Sequence, residues 1–480
     1  MMTSTRRALT GDLDLTALVP IAMLVSAALV AGARSAALKR RLALVVLAAV
    51  LLWTVVPFVT RLVDGHGLDL VTSVLPIAIG APLAILFAAP RSATHARACS
   101  DALLAAGSAV GVTLTESLPL FALFFLASFI PMLREAFGRR EVAPTADAPA
   151  ARDVPTKRAA ILVASASAAP LFVALAIGAV LVLREGRVPL TLSALHGATV
   201  AHAPLSALVM IAACARLGVF PFHGWVPVAL EARRGIAGPV TLASPVGIVL
   251  ALRLGAPSDA LLASGGATFL FACGVASALY GGVAALGQHD AGRLLGFVWI
   301  STVGAVVSGL ASGDELARSG AVMHHLAVVL AASGLLIHVT AVSARTGTTD
   351  LRKLGGLVGN APALAIGYLI LSLATVSFPG TATFRSEDVL IAELYERHTV
   401  VAFVIMLATA INGISLVRSY KRLFLGRGSS PLPIEDALPR ERWTAIAIVV
   451  ALILGGLAPA HLVRQGVELP SGAPTVEAPR

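Results

Sequence analysis

Apolar residues in this chain come in long runs separated by short polar intervals. The runs fall near 15–33, 42–60, 68–89, 98–114, 115–133, 159–183, 193–215, 236–254, 260–286, 294–311, 319–342, 357–378 with a continuation to 396, 399–425 and 441–460. Each is close to the roughly 20 residues that a helix needs to cross a ~30 Å hydrocarbon core. Ala, Leu and Val dominate them, unlike the alternating ten-residue segments of an outer-membrane barrel. The pattern predicts an all-α polytopic membrane protein with about fourteen transmembrane helices.

Composition agrees. Of 480 residues, 57% are hydrophobic and 13% charged, with a mean hydropathy of +0.87, against about 25% charged in a soluble domain. The net charge of +10 does not mark a nucleic-acid binder, because the basic residues are scattered between apolar runs. It reads as a topology signal. Loops on one side hold 24 Lys and Arg and those on the other, with both termini, hold 10, Arg216 and Arg385 being assigned to helices. The positive-inside rule then places both termini outside the cytoplasm. Asp12 and Asp14 interrupt the amino-terminal stretch, so the first run is expected to stay as a permanent helix. Cys99, Cys214 and Cys273 lack metal-ligand or disulfide spacing and are expected to be packed thiols. No nucleotide loop, iron–sulfur spacing or haem motif is present, so no cofactor or metal is expected and any redox chemistry belongs to partner subunits. The segment 134–158, rich in Pro, Ala and charge, is expected to be a mobile cytoplasmic connector. The tail after Leu462 is expected to be poorly ordered or to lie on a partner.

Several ionisable groups fall at membrane depth, where a charge is expensive and marks a candidate ion path. Glu116 opens the fifth run in TESLPLFALFF. It is either an interfacial glutamate capping a helix start after Thr113 or Thr115, or it has a partner, for which Arg216 is the natural candidate. Arg216 begins RLGVFPFHGWVPVALE (216–231), where prolines, His223 and Trp225 interrupt the apolar pattern. His202 and Pro204 lie in the seventh run, and the proline there predicts a broken helix. Pro379 and Gly380 break the twelfth, whose second half carries Arg385, Glu387 and Asp388. Two broken helices in corresponding halves point to an inverted-repeat transport fold. His324, His325 and His338 share the eleventh run. Histidine is the side chain best suited to shuttle protons near neutral pH, although any one of them could be a hydrogen-bonded core residue.

These residues resemble a known family. RLGVFPFHGWVPVALEA is similar to the K-x-x-x-F-P-F-H-x-W-L-P-D-A-x-E-A segment of the antiporter-like subunits of respiratory complex I and of Mrp-type cation/proton antiporters. TESLPLFALFF resembles the family's helix-5 glutamate segment, TDLRKLGGL (349–357) its R-D-L-R-K-L-G-G-L loop, and FPGTATFRSEDVL (378–390) its P-G-T-x-G-F-x-x-K/E segment. The resemblance implies a fourteen-helix core with two inverted five-helix repeats, helices 4–8 and 9–13, in which helices 7 and 12 are broken. It implies that Glu116 is the pairing carboxylate, that Arg216 stands at the helix-7 lysine, and that Glu387 is the terminal proton carrier. The chain departs from the family pattern in its lysines. HHLAVVLAAS (324–333) stands where H-x-x-N-H-A-x-x-K is expected, leaving Ala332 or Ser333 for the central lysine, and DAGRLLGF (290–297) replaces D-I-K-R-L-L-A-Y. RRGIAGPVT stands for P-T-P-V-S-A-L-I-H after Glu231.

The expected organisation is 1–97 for helices 1–3, 98–254 for the first repeat, 255–425 for the second, and 426–480 for helix 14 and the tail. The function implied is that of a proton-translocating subunit of a complex-I-like NADH/quinone oxidoreductase or related energy-converting complex. It would sit as a multi-pass protein in the bacterial inner membrane, with other membrane subunits and the lipid bilayer as partners and protons or sodium as the ion. The expected path is Glu116, Arg216, His202, His223, His324, His325, His338 and Glu387. The alternatives are the membrane subunit of a two-component inorganic-carbon uptake system or other ion-coupled complex, and a non-conducting structural subunit.

Overall fold

The computed structural model describes residues 15–63, 70–89, 97–137, 169–184, 191–231, 236–426 and 434–457. Most of the expected 134–158 connector, residues 233–235 and the tail after Leu462 lie outside these. Among the described residues the chain is helical with no strand, only the isolated bridges Ser117–Thr191 and Asp290–Asp350. Among the described residues, six helices are long and apolar enough to cross a membrane: Ala36–Thr60, Ala203–Ala229, Asp259–Leu286, Ala291–Ala311, Glu315–Thr346 and Thr399–Phe424. Shorter apolar helices, among them Ala98–Leu114, Ala169–Arg184 and Pro362–Thr375, accompany them.

The amino-terminal helices are α1 (Leu15–Gly32), α2 (Ala36–Val63), α3 (Leu70–Ala88) and α4 (Ala98–Leu114), with α4 packed on α1 and α3. The expected fifth span is two helices, α5 (Leu118–Ala127) and α6 (Ile130–Phe137). They are followed by α7 (Ala169–Arg184), α8 (Leu192–Ala201), α9 (Ala203–Leu217), the short α10 (Trp225–Ala229), α11 (Ala237–Leu242) and α12 (Val246–Arg253). The carboxy-terminal half holds α13 (Ala267–Leu286), α14 (Ala291–Ala311), α15 (Glu315–Thr346), α16 (Pro362–Thr375), α17 (Ala382–Arg397), α18 (Thr399–Phe424) and α19 (Pro439–Leu457).

The core is α14. Every residue of it but Arg293 is buried, as expected for a helix that is apolar all round, and α10, α13, α15 and α18 pack about it. Lipid offers apolar side chains no gain from leaving water, so close backbone contact has to hold such helices together. The approach of α13 to α14 depends on glycine: a Cβ on Gly281 would lie 2.5 Å from Ser301 N, and one on Gly304 2.5 Å from Ala278 N. Helix starts follow capping chemistry, in which a side-chain oxygen accepts from an orphan amide of the first turn. Asp290 accepts from Arg293 N at 2.9 Å for α14, and Asp314 from Leu316 N and Ala317 N at 2.8 and 3.0 Å for α15. Asp290 also accepts from the Thr349 hydroxyl, and Leu351 N donates to the His289 carbonyl at 2.7 Å, so the TDLRKLGGL loop is tied to the start of α14. In that loop hydrogen bonding from Arg352 holds the Asp350 carboxyl below its usual range.

The two expected breaks are present. Between α8 and α9, His202 leaves helical geometry (φ −120°, ψ 107°), and Pro204 stands in the first turn of α9. Proline loses little there, since first-turn amides have no intrahelical partner. It therefore opens the second half-helix rather than interrupting a continuous one. Between α16 and α17 the chain passes through Ser377 (φ 57°), Pro379 and Gly380 (φ 91°) before Thr381 caps α17.

A buried ion pair joins α19 to α15. Arg345 donates to Glu441 at 2.7 and 3.2 Å and to the carbonyls of Glu435, Asp436 and Ala341, while Asp436 accepts from Ala363 N and Leu364 N at the start of α16. The two side chains are 10% and 1% exposed. Removing one partner strands the other charge, so Glu441→Gln is expected to destabilise the fold by about 3–5 kcal/mol. Arg345→Met/Glu441→Leu together should recover most of that loss; unfolding midpoints in mixed detergent measure both.

Candidate functional site

The amino-terminal part of the site forms where α4 ends. Its last carbonyls have no intrahelical donors, and Arg253, the last residue of α12, supplies them. Its Nη1 donates to the carbonyls of Val112 and Thr113, and its Nη2 binds Glu116 Oε1. Glu116 lies in the turn between α4 and α5, with its carboxylate half exposed. Its backbone carbonyl accepts from Leu192 N at 2.9 Å, which brings α8 to the same point. His196 on α8 donates from Nδ1 to the Arg253 carbonyl at 3.0 Å. Gly255 makes this approach possible: its φ of 65° suits glycine, and a Cβ there would lie 2.8 Å from the imidazole.

Glu116 therefore has a partner, but it is not Arg216. That expectation is corrected: Arg216 is 4% exposed, lies over the Phe129 ring at 5.5 Å and donates from Nη2 to the Thr241 carbonyl at 3.2 Å. Among the described residues it forms no ion pair, and its Nε has no acceptor. The physical reason is reach. Arg253 comes to the end of α4 because α12 packs on that helix, whereas Arg216 lies over Phe129, in the turn between α5 and α6, and reaches the Thr241 carbonyl on α11. Arg253, read from the sequence as a loop charge, is buried at a helix end; an arginine inside the apolar stretch GIVLALRLG was the available signal.

Beyond Arg216 the chain turns sharply. Gly218 ends α9 in the left-handed conformation (φ 82°), and Val226 would stand 2.3 Å from a Cβ there. Trp225 folds back to donate to the Ala215 carbonyl at 3.1 Å, and Pro227 rests against Gly296 of α14. His223 stacks on Phe220 and meets Tyr280 edge-on, with ring centroids 5.6 and 4.8 Å apart. His202, at the α8–α9 break, is exposed.

The carboxy-terminal part is buried. Trp299 of α14 donates to the Leu217 carbonyl at 3.0 Å and meets the His325 ring edge-on at 5.7 Å. His324 and His325 are 2% and 1% exposed on α15. His324 Nδ1 lies 3.4 Å from both the Thr383 carbonyl and Ser386 Oγ on α17. Glu387, next in sequence and also buried, accepts from Thr409 of α18 at 2.6 Å. The fold thus joins Leu217, Trp299 and His325 in one set of contacts, His324 and Ser386 in a second, and Glu387 and Thr409 in a third, the three sets being linked through neighbours along the chain. Of these, Trp299, Ser386 and Thr409 were not singled out in the sequence, because a lone hydroxyl or indole in an apolar run carries no signal.

His338 stands apart. It donates from Nδ1 to the Gly334 carbonyl at 2.8 Å, and its ring occupies the space left by Gly367. Between His325 and His338 the inner face of α15 borders a small apolar cavity of about 10 Å³, lined by Leu295, Val328, Ala332 and Leu335, with Thr302 and Thr375 at its wall. Both hydroxyls are already donated to carbonyls of their own helices, Trp299 and Leu371. Ala332, one of the two positions read as replacing the family's central lysine, faces this space, and no ionisable group lines it.

The two arginines carry different loads. Arg253→Met strands two carbonyls and Glu116 and should destabilise the protein by roughly 2 kcal/mol, whereas Arg216→Met, which loses one hydrogen bond, should be nearer neutral. Unfolding midpoints of the two variants check this, and the reverse order would place the weight on Arg216.

The family model described as NADH:quinone oxidoreductase/Mrp antiporter, TM, matches residues 156–412, more than half of the sequence. NADH-quinone oxidoreductase subunit M of Escherichia coli (strain K12) is 29% identical over 259 residues, covering 52% of this chain and 50% of that protein. Subunit M of Rickettsia felis is 26% identical over 263 residues, covering 53% and 52%. The chain thus spans about half the length of the curated relatives it matches. Respiratory complex I from Thermus thermophilus contains a chain of the same fold, with a TM-score of 0.77 at 21% identity over 94% of this chain and 97% of that one. The Mrp complex from Dietzia sp. DQ12-45-1b contains another, with 0.73 at 18% identity over 94% and 96%. This all-helical, multi-pass membrane protein belongs to the NADH:quinone oxidoreductase/Mrp antiporter transmembrane family.

Proposed function

We propose that the chain is a proton-translocating, antiporter-like membrane subunit of a complex-I-like energy-converting assembly, set in the bacterial inner membrane among other membrane subunits. The observation that carries this reading is the buried succession His325, His324, Ser386, Glu387 and Thr409. Ionisable groups are rare in membrane interiors and mark ion paths by default. Histidine and carboxylate supply the groups that exchange protons, and the hydroxyls of Ser386 and Thr409 hold them in place. Glu387 is the terminal carrier in this reading, with His324 its neighbour on the inner side.

The same reading takes the helix breaks at His202 and at Pro379–Gly380 as the broken helices 7 and 12 of two inverted repeats, 98–254 and 255–425. These are flanked by 1–97 and by 426–480, in a core of fourteen spans with both termini outside the cytoplasm. The excess of Lys and Arg on one set of loops supports that orientation. Glu116, with Arg253 and Arg216 near the end of α4 and α9, holds the charge of the first half. Both cations there are arginines, which keep their proton, so they set the potential around the carboxylate rather than carry the ion. His196 and His202 are the exchangeable groups on that side, and His223 lies on the turn that follows α9. The alternative of a scaffold without conduction draws on the apolar cavity that separates His325 from His338.

Reconstitution into vesicles separates the readings. Glu387→Gln and Glu116→Gln are expected to lower proton transfer to the level of empty vesicles while assembly is unchanged, and normal transfer in both would sink the conducting reading. Replacing His324 and His325 together should slow transfer by about a hundredfold or more, the usual worth of a positioned acid–base group. His338, outside the succession, should contribute less.

A further inference from the structure

The last two turns of α18 carry Arg418, Lys421 and Arg422. Residues three and four apart share a helix face, so Arg418 stands over Ile414 and Lys421 over Val417, both of them exposed apolar positions. Helix α13 runs beside this face. Ile411 lies 3.3 Å from a Cβ placed on Gly282, and Arg418 Nη1 donates to the Leu286 carbonyl. Those two contacts set α13 and α18 in parallel register, with Val283 of α13, also exposed, near the level of Ile414. Just past the end of α13, Arg422 Nη1 donates to His289 Nδ1 at 3.5 Å. Two of the three cations are thus held at the edge of α13, and Lys421 beside them is exposed.

A helix dipole favours a cation at its carboxy-terminal end, and the positive-inside rule favours basic loops, but neither requires three cations on one face above an apolar strip. Nor do they neutralise acids. Among the described residues none of the three forms an ion pair, and the carboxylates at this end of the bundle are engaged elsewhere. Asp290 accepts from the Arg293 amide and the Thr349 hydroxyl, Asp350 pairs with Arg352 at 3.0 Å, and Glu231 pairs with Arg293 at 3.3 Å. We infer that the junction of α13 and α18 binds an anionic phospholipid, its phosphate on Arg418, Lys421 and Arg422 and its acyl chains along Val283, Ile414 and Val417. Phosphate takes the planar fork of arginine and the point charge of lysine together, while the chains cover the strip. A zwitterionic lipid brings its own cation and leaves the three charges uncompensated. The site stands whether or not the chain conducts protons.

The test uses the full chain in phosphatidylcholine nanodiscs doped with phosphatidylglycerol whose acyl chain carries a diazirine, and mass spectrometry locates the adducts after illumination. A phosphatidylcholine probe with the same chain is the reference. The wild-type chain should give the phosphatidylglycerol probe a several-fold excess of adducts on the peptides holding Val283, Ile414 and Val417. A basic residue facing an anionic headgroup is worth about fivefold in binding, so Lys421→Gln and Arg422→Gln should each cut the excess by about that factor. Lys421→Arg should keep it. Arg41→Gln, on α2, which packs against α1, α3 and α4 instead, should leave it unchanged. An equal fall with Arg41→Gln would reduce the effect to bulk charge and overturn the site. Equal adducts from the two probes also overturn it. So does displacement of the probe by inorganic phosphate beyond that caused by chloride at the same ionic strength, which would make the ligand a soluble anion. If the excess vanishes when the chain is labelled within its complex from native membranes, a partner subunit covers this face and the lipid site is wrong.

Discussion

A helix that ends inside a membrane protein leaves carbonyls with no water to satisfy them, and at the end of α4 that constraint is met by one guanidinium. Arg253 donates to the Val112 and Thr113 carbonyls with one nitrogen and holds Glu116 with the other. Planar, always charged and five-pronged, arginine can do both at once where a lysine would serve a single point. Because α8 closes on the same turn through Leu192 and His196, this one side chain joins α4, α8 and α12. The amino-terminal half is built round a fixed charge.

The carboxy-terminal half is organised differently. Its contacts at membrane depth run through α14, which is buried on all sides and whose Trp299 reaches from the Leu217 carbonyl to His325. The groups that follow are titratable or hydroxylic, and they pass from α15 to α17 to α18. A buried ion pair of this half, Arg345 with Glu441, lies away from those groups and anchors α19 to α15 and α16. The buried ion pair and the buried histidines and Glu387 are thus kept in different places.

Much of the architecture was legible in the chain itself. Runs of Ala, Leu and Val long enough for a bilayer are a matter of length and transfer energy, and they placed α4, α14, α15 and α18 within a few residues. Pro204, Pro379 and Gly380 announced the two breaks, since proline has no amide to give and glycine tolerates the left-handed turn. The family segments in 216–231, 349–357 and 378–390 announced the relationship. Glu387, His324 and His325 stood out because ionisable groups do not enter an apolar run without cause.

Partnership was not legible. Nothing in the spacing of Glu116, Arg216 and Arg253 says which arginine reaches the carboxylate, because that depends on α12 lying against α4. Sequence proximity favoured the wrong one. The three histidines of α15 read as one group along the chain, yet an apolar cavity at Ala332 separates His338 from the other two. Thr409 and Asn412 carry no signal singly and matter only through the partners that helix packing gives them, Glu387 and Ser301. The sequence by itself determined which segments leave water and where their helices must break, since these are local costs of transfer and backbone geometry. The tertiary structure alone decided which polar groups face one another, since that is settled by helices far apart in the chain packing within a few ångströms.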